Sequence, residues 1–130
     1  MKMLKDILET IYKRAEDEAP LEACGYLAGK GDVVTTLYPM TNVDQSEIHY
    51  SFDPQEQFQV IKTVRNIGLE IIAAYHSHPG SPARPSEEDI RLAHDSSIIY
   101  VIVSLENGKK SCGAFIIKEG SVTPEPLEII

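Results

Sequence analysis

The sequence predicts a mixed α/β fold, a β-sheet flanked by helices. Three observations carry that reading. Residues 3–17 have a helical apolar period, Asp53-Pro54 opens a second helix, and Leu69–Tyr75 is an almost unbroken apolar run. Such a run suits a central strand buried on both faces.

Leu4, Ile7, Leu8, Ile11 and Ala15 define the first helix, whose solvated end is Glu16-Asp17-Glu18 and whose stop is Pro20. Residues 23–29 and 33–38 are two apolar stretches around Gly29-Lys30-Gly31-Asp32, which suits a hairpin. A polar loop runs from Pro39 to about Glu47. The second helix has Asp53 as N-cap, Pro54 at its first position and Glu56 at its third, and Gly68 stands where a terminating glycine belongs. After the central strand, a further helix runs from Ser86 to about Asp95. Ser97–Leu105 and Ser111–Ile117 are strands, joined through the hairpin signal Asn107-Gly108. Glu119-Gly120 turns the chain into a last short strand near Val122. The order is α-β-β-α-β-α-β-β-β. No repeat, low-complexity segment or linker interrupts it, so residues 1–130 read as a single domain.

Twenty acidic against twelve basic residues give a net charge of −8, which disfavours a nucleic-acid partner. No apolar run approaches the ~20 residues of a membrane span, and no signal peptide opens the chain. Cys24 and Cys112 are too few for a disulfide framework. These features point to a cytoplasmic protein. They leave the oligomeric state open, a homodimer included.

The chemistry concentrates in residues 75–89, Tyr-His-Ser-His-Pro-Gly-Ser-Pro-Ala-Arg-Pro-Ser-Glu-Glu-Asp. Alternate side chains of a strand share a face, so His76 and His78 point one way and Ser77 the other. Two imidazoles set in this way can close on one cation. They end the buried strand, where open α/β sheets usually place ligands. A stiff loop, with one glycine and two prolines between Gly80 and Pro85, delivers Ser86 and Asp89 to the next helix. Asp89 can then supply a third ligand. Two imidazoles and a carboxylate leave a fourth position for water, the arrangement of catalytic zinc, which lowers the pKa of that water to roughly 7. Glu22, at the entry to the first strand, is the candidate base. Ser86 is the candidate oxyanion donor.

Residues 76–89 read H-S-H-P-x6-S-x-x-D, and Pro20-Leu21-Glu22-Ala23-Cys24-Gly25 supplies an upstream glutamate. This pattern closely resembles the JAMM/MPN+ (Mov34/MPN/PAD-1) zinc metalloproteases, in their minimal prokaryotic form. The resemblance spans nearly the whole chain and implies a JAMM/MPN-like fold with cytidine-deaminase-like layering. It implies Zn²⁺ held by His76, His78 and Asp89, Glu22 as acid/base, and Ser86 as transition-state donor. Every catalytic position matches. The implied substrate is the C-terminal tail of a ubiquitin-like or sulfur-carrier protein, lying extended beside a sheet edge. It is either a modifier joined to lysine or a carrier bearing an amino acid such as cysteine. The insertions by which eukaryotic deubiquitinases grip ubiquitin are missing, which argues against linkage specificity.

Duller roles compete. Ser86-x-x-Asp89 is also a capping box, and a carboxylate on metal is not expected to reach back to the Ser86 amide as well. Cys24 reads as a buried structural thiol, and His49 and His94 as non-ligands. Arg84 reads as solvated or substrate-touching, and Lys109 and Lys110 as a solvated tip. Two other functions fit parts of the pattern. A two-histidine, one-carboxylate Fe(II) enzyme would need no base at Glu22. A non-catalytic module that binds a ubiquitin-like protein would need no intact ligand set. A nucleobase deaminase is disfavoured, because neither H-x-E nor P-C-x-x-C occurs.

Overall fold

The computed structural model describes residues 1–130. Its N-terminus departs from the expected start. A two-residue strand, β1 (Lys2–Met3), precedes helix α1 (Lys5–Glu18) and lies parallel to β3 and to β8 on its two sides. A pairing that short leaves no periodicity to read. From Lys5 the expected period holds, with Ile11 and Ala15 fully buried.

Strands β2 (Cys24–Lys30) and β3 (Val33–Met40) form the expected hairpin, with Gly31 at φ +60 in its turn. Helix α2 (Pro54–Asn66) begins as its sequence directs: the Asp53 carboxylate accepts from the Gln55 and Glu56 amides at 2.8 and 3.3 Å. Glu56 does not cap the helix in return. Its carboxylate accepts from the Thr41 amide and hydroxyl at 2.6 and 3.1 Å, tying the chain after β3 to α2. At the other end Gly68 adopts φ +79 and Leu69 N–H returns to Val64 O at 3.0 Å, closing the helix.

The central strand, β4 (Glu70–His78), runs three residues past Tyr75 and buries His76, Ser77 and His78. Helix α3 (Glu87–Leu92) is shorter than expected. It stops three residues before Asp95, because Ala93 turns out of helical geometry with no glycine or proline to announce it. Then come β5 (Ile99–Ser104), β6 (Ser111–Lys118), β7 (Ser121–Pro124) and a two-residue β8 (Glu128–Ile129) outside the expected order. Asn107 and Gly108 both take positive φ, but in a longer connection that contains a 3-10 turn. Lys109 and Lys110 are exposed, as expected of a solvated tip, and Lys110 has surface partners. It pairs with Glu16 at 2.9 Å and lies over the Tyr12 ring.

All eight strands join one mixed sheet in the order β7-β6-β5-β4-β2-β3-β1-β8. β4 is antiparallel to β2 and parallel to β5. Alternation along β4 splits the sheet into two chemistries. Ala73 and Tyr75 join the main core, which includes Ile11, Leu27, Val101 and Val103 and packs under α1. Ala74, His76 and His78 face the other way, where Tyr26, Phe52, Ile61 and Tyr100 form a smaller cluster around Ala74. Full burial of Tyr75 depends on Gly25. A Cβ there would lie 2.6 Å from the Tyr75 ring and 2.3 Å from Tyr38 O. No helix is long and apolar enough to cross a membrane.

Candidate metal centre

The end of β4 and the start of α3 bring His76, His78 and Asp89 together. The Nε2 atoms of the two histidines are 3.1 Å apart, and Asp89 Oδ2 lies 3.1 Å from His76 Nε2 and 3.0 Å from His78 Nε2. The three atoms form a nearly equilateral triangle. Hydrogen bonding alone explains it poorly, since it aims three electron-rich atoms at one point. Tetrahedral bonds of about 2.0–2.1 Å would space adjacent ligand atoms by about 3.3 Å, close to what is observed. The group is thus positioned to bind a metal ion.

Each side chain is held in place from outside the triangle. His78 Nδ1–H donates to Pro82 O at 2.8 Å, which leaves Nε2 as the lone-pair nitrogen. The Tyr50 ring stacks on the His76 ring at 4.7 Å with a 28° interplanar angle. Asp89 Oδ2 also accepts from Ser86 N–H at 2.9 Å, and Ser86 Oγ accepts from Asp89 N–H at 3.0 Å. The capping box therefore forms with Asp89 facing both imidazoles. Both contacts fall on one oxygen, Oδ2, whose two lone-pair directions allow one for the Ser86 amide and one for the centre of the triangle.

The loop between Pro79 and Ser86 is fastened at several points. Ser104 Oγ donates to Ser81 O at 2.6 Å, and Leu105 N–H donates to His78 O at 3.1 Å. The Ala83 carbonyl rests on Gly113 of β6, where an added Cβ would come within 2.8 Å of its oxygen. These contacts carry Ser86 and Asp89 to the end of β4.

Glu22 precedes β2 and is only 2% exposed. Cys24 pairs with His76 across the antiparallel β2–β4 ladder, so the register sets Glu22 beside His78. Its backbone is fixed on both sides: Glu22 N–H donates to Ser46 O at 2.9 Å, and Asn42 Nδ2 donates to Glu22 O at 3.1 Å. Ser77, on the opposite face of β4, accepts from Ala23 N–H at 2.7 Å and locks the same segment. Glu22 Oε1 is buried without a hydrogen-bond partner. Burial pushes this carboxyl up to about 8; His78 opposes the shift, and Asp89 and Glu88 add to it. A buried, unpartnered carboxyl with a raised pKa suits proton transfer near neutral pH.

The protons of the triangle respond to the same surroundings. Burial works against the Asp89 carboxylate, but the two imidazoles hold its pKa far below the usual range. Burial dominates at His76 and lowers it. At His78 burial is outweighed by Asp89 and the Pro82 carbonyl, which raise it. Cys24 is buried, its thiol pushed up to about 12 by desolvation, which suits the expected inert role. His49 bonds Asp44 at 3.0 Å and His94 is exposed; neither joins the triangle. Arg84 is exposed.

Ser77 lies on the opposite face of its strand, as expected, but its bond to Ala23, like the roles of Tyr50, Asn42, Ser104 and Gly113, had no signal in the sequence. Of these only Asn42 lay in the segment read as a polar loop, and what it touches depends on how that loop folds back.

Residues 4–126 match the family described as prokaryotic homologues of the JAB domain. The chain is 32% identical over 128 residues to the CysO-cysteine peptidase of Mycobacterium tuberculosis, covering 96% of this chain and 88% of that one. It is 34% identical over 101 residues to the desampylase of Haloferax volcanii, covering 75% and 73% of the two chains. A protein of Desulfitobacterium hafniense known in solution superposes with a TM-score of 0.90 at 42% identity, over all of this chain and 93% of that one. A solved structure described as JAMM, a metalloprotease-like zinc site in the proteasome and signalosome, superposes with a TM-score of 0.65. That pair is 25% identical and covers all of this chain and 97% of the other.

Proposed function

The chain belongs to the prokaryotic JAB-domain family, and we propose that it is a zinc-dependent peptidase or isopeptidase. Its substrate is the C-terminal tail of a ubiquitin-like or sulfur-carrier protein, and residues 1–130 act as a single catalytic domain. The observation that carries this reading is the triangle of His76 Nε2, His78 Nε2 and Asp89 Oδ2, with the buried Glu22 carboxyl beside it. Two imidazoles and one carboxylate are the ligand chemistry of catalytic rather than structural zinc. The likeness to a metalloprotease-like zinc site supports the choice of metal. The similar CysO-cysteine peptidase and desampylase support the substrate class. Two free cysteines suit a reducing compartment such as the cytoplasm.

When bound, zinc supplies Lewis-acid polarisation of a carbonyl and acidifies water. The remaining roles fall to the chain's own groups. The Glu22 carboxylate takes a proton from the attacking water and passes it to the leaving amine, so the same group serves as base and then as acid. The Ser86 hydroxyl spends a lone pair as N-cap, and its own hydrogen remains free to donate to the oxyanion. The hydrogen bond to Pro82 keeps His78 in the tautomer that faces the cation.

The test is hydrolysis of two probes, a ubiquitin-like protein with a C-terminal cysteine extension and the same protein joined to a lysine side chain. Cleavage of either one, lost on chelation and restored by zinc, is the expected result. Binding of both without turnover by zinc-loaded protein would contradict an enzyme and leave a binding module.

A further inference from the structure

The Glu22 carboxyl takes its aim from the backbone. Its Oε1 is buried without a hydrogen-bond partner, so the peptide groups on either side of the residue must set where it points. On one side Ala23 is fastened to Ser77 of β4 by two bonds: Ala23 N–H to Ser77 Oγ at 2.7 Å, and Ser77 N–H to Ala23 O at 2.9 Å. The other support comes from residues 42–52. Ser46 O accepts from Glu22 N–H at 2.9 Å, and the Asn42 side chain donates to Glu22 O at 3.1 Å.

Residues 42–52 close on themselves. An antiparallel bridge joins Asn42 to Phe52 at the neck of the loop, and Val43 N–H donates to Ser51 O at 3.1 Å. The Asn42 amide sits inside the neck. Nδ2 donates to His49 O at 3.1 Å as well as to Glu22 O, and Oδ1 accepts from the Asp44 and Ser51 amides at 3.1 and 3.4 Å. Both donor hydrogens and both lone pairs are thereby engaged. Two carbonyls on one side and two N–H groups on the other allow only one orientation of the amide. Apolar burial does little for the loop, since Val43 and Ile48 are 47% and 72% exposed. It is held by polar bonds that converge on one buried side chain.

We propose that Asn42 is a positioning residue of the reaction: its amide latches loop 42–52 and so aims the Glu22 carboxyl at the triangle. It does this twice over, through its own bond to Glu22 O and through the loop that presents Ser46 O to Glu22 N–H. The proposal rests on the reading of Glu22 as the group that moves the proton. In this role Asn42 touches none of the reacting atoms and acts through Glu22 alone. Its removal should therefore matter only while Glu22 can serve as a base, which a merely structural role would not require.

Turnover of the cysteine-extended and lysine-joined ubiquitin-like probes is measured for the wild type, Asn42→Ala, Glu22→Gln and the double variant, each at full zinc occupancy. Asn42→Ala should lower kcat by about 10–100-fold with KM unchanged, the effect of a misplaced reacting group. In the Glu22→Gln background the same change should alter kcat by less than about twofold. Equal fold-losses in the two backgrounds would overturn the positioning role and leave the base in place. Normal turnover in Glu22→Gln alone would instead overturn the reading of Glu22. Amide hydrogen exchange on the wild type tests the latch with no variant and no turnover. The Glu22, Asp44 and Ser51 amides should exchange through one common opening. Exchange of Glu22 N–H independently of the other two would overturn the latch.

Discussion

His78 is aimed by Pro82. The ring Nδ1–H meets the Pro82 carbonyl at 2.8 Å, and the opposite nitrogen is thereby presented to Asp89 and His76. The carbonyl comes from the stiff loop that also delivers Ser86 and Asp89, so one segment both supplies Asp89 to the triangle and orients His78.

Glu22→Gln keeps shape and burial but removes the ionisable oxygen. It should retain zinc and lower kcat by about 10²–10⁴, the usual contribution of a positioned general base. Steady-state kinetics beside metal analysis checks this, and normal turnover would remove Glu22 from the mechanism.

Ser86 has two separable duties. Ser86→Ala should reduce kcat by about 10²–10³ through the lost oxyanion donor. It should also cost about 0.5–2 kcal/mol of stability through the lost N-cap. A lowered melting temperature with unaltered kcat would leave only the cap.

Gly113 acts at a distance from the triangle. In Gly113→Ala the new methyl would meet the Ala83 carbonyl at 2.8 Å, so the loop must shift. Zinc affinity, measured by competition with a chelator, should fall by roughly 10–100-fold, as for loss of other supports behind a ligand. Unchanged affinity would show that the loop is fixed without this contact.

The stability of the metal-free protein should depend on pH through Glu22. Its folded pKa of about 8 stands above the unfolded value of 4.5. Between those values the folded state holds a proton that the unfolded state has released, so this group's stabilisation declines as pH rises from about 4.5 to about 8. Thermal melts at pH 6 and pH 8, compared with Glu22→Gln, isolate the effect: the variant should lose less stability over this interval. Identical declines would mean that the burial of Glu22 does not control its proton.

The residues that meet at the site were legible because each left a local trace. His76 and His78 alternate on a strand, and Ser86 and Asp89 open a helix at cap spacing. Helices α1 and α2 and strands β2 to β7 were legible for similar reasons of period and punctuation. The strand pair β1 and β8 was not, because two residues each carry no alternation and their partners lie at opposite ends of the chain. The early end of α3 was missed because Ala93 is a good helix former that leaves the helix without a breaker. The supports of the site escaped for a third reason. Asn42 reaches Glu22 across 20 positions, and Ala83 rests on Gly113 only after β6 has joined the sheet.

The most direct measurement is the metal content of the purified wild type, Asp89→Ala and Glu22→Gln. The account predicts about one zinc per chain in the wild type and in Glu22→Gln, with little in Asp89→Ala. Full zinc in Asp89→Ala would contradict the ligand set, and iron in place of zinc in the wild type would contradict the hydrolytic mechanism.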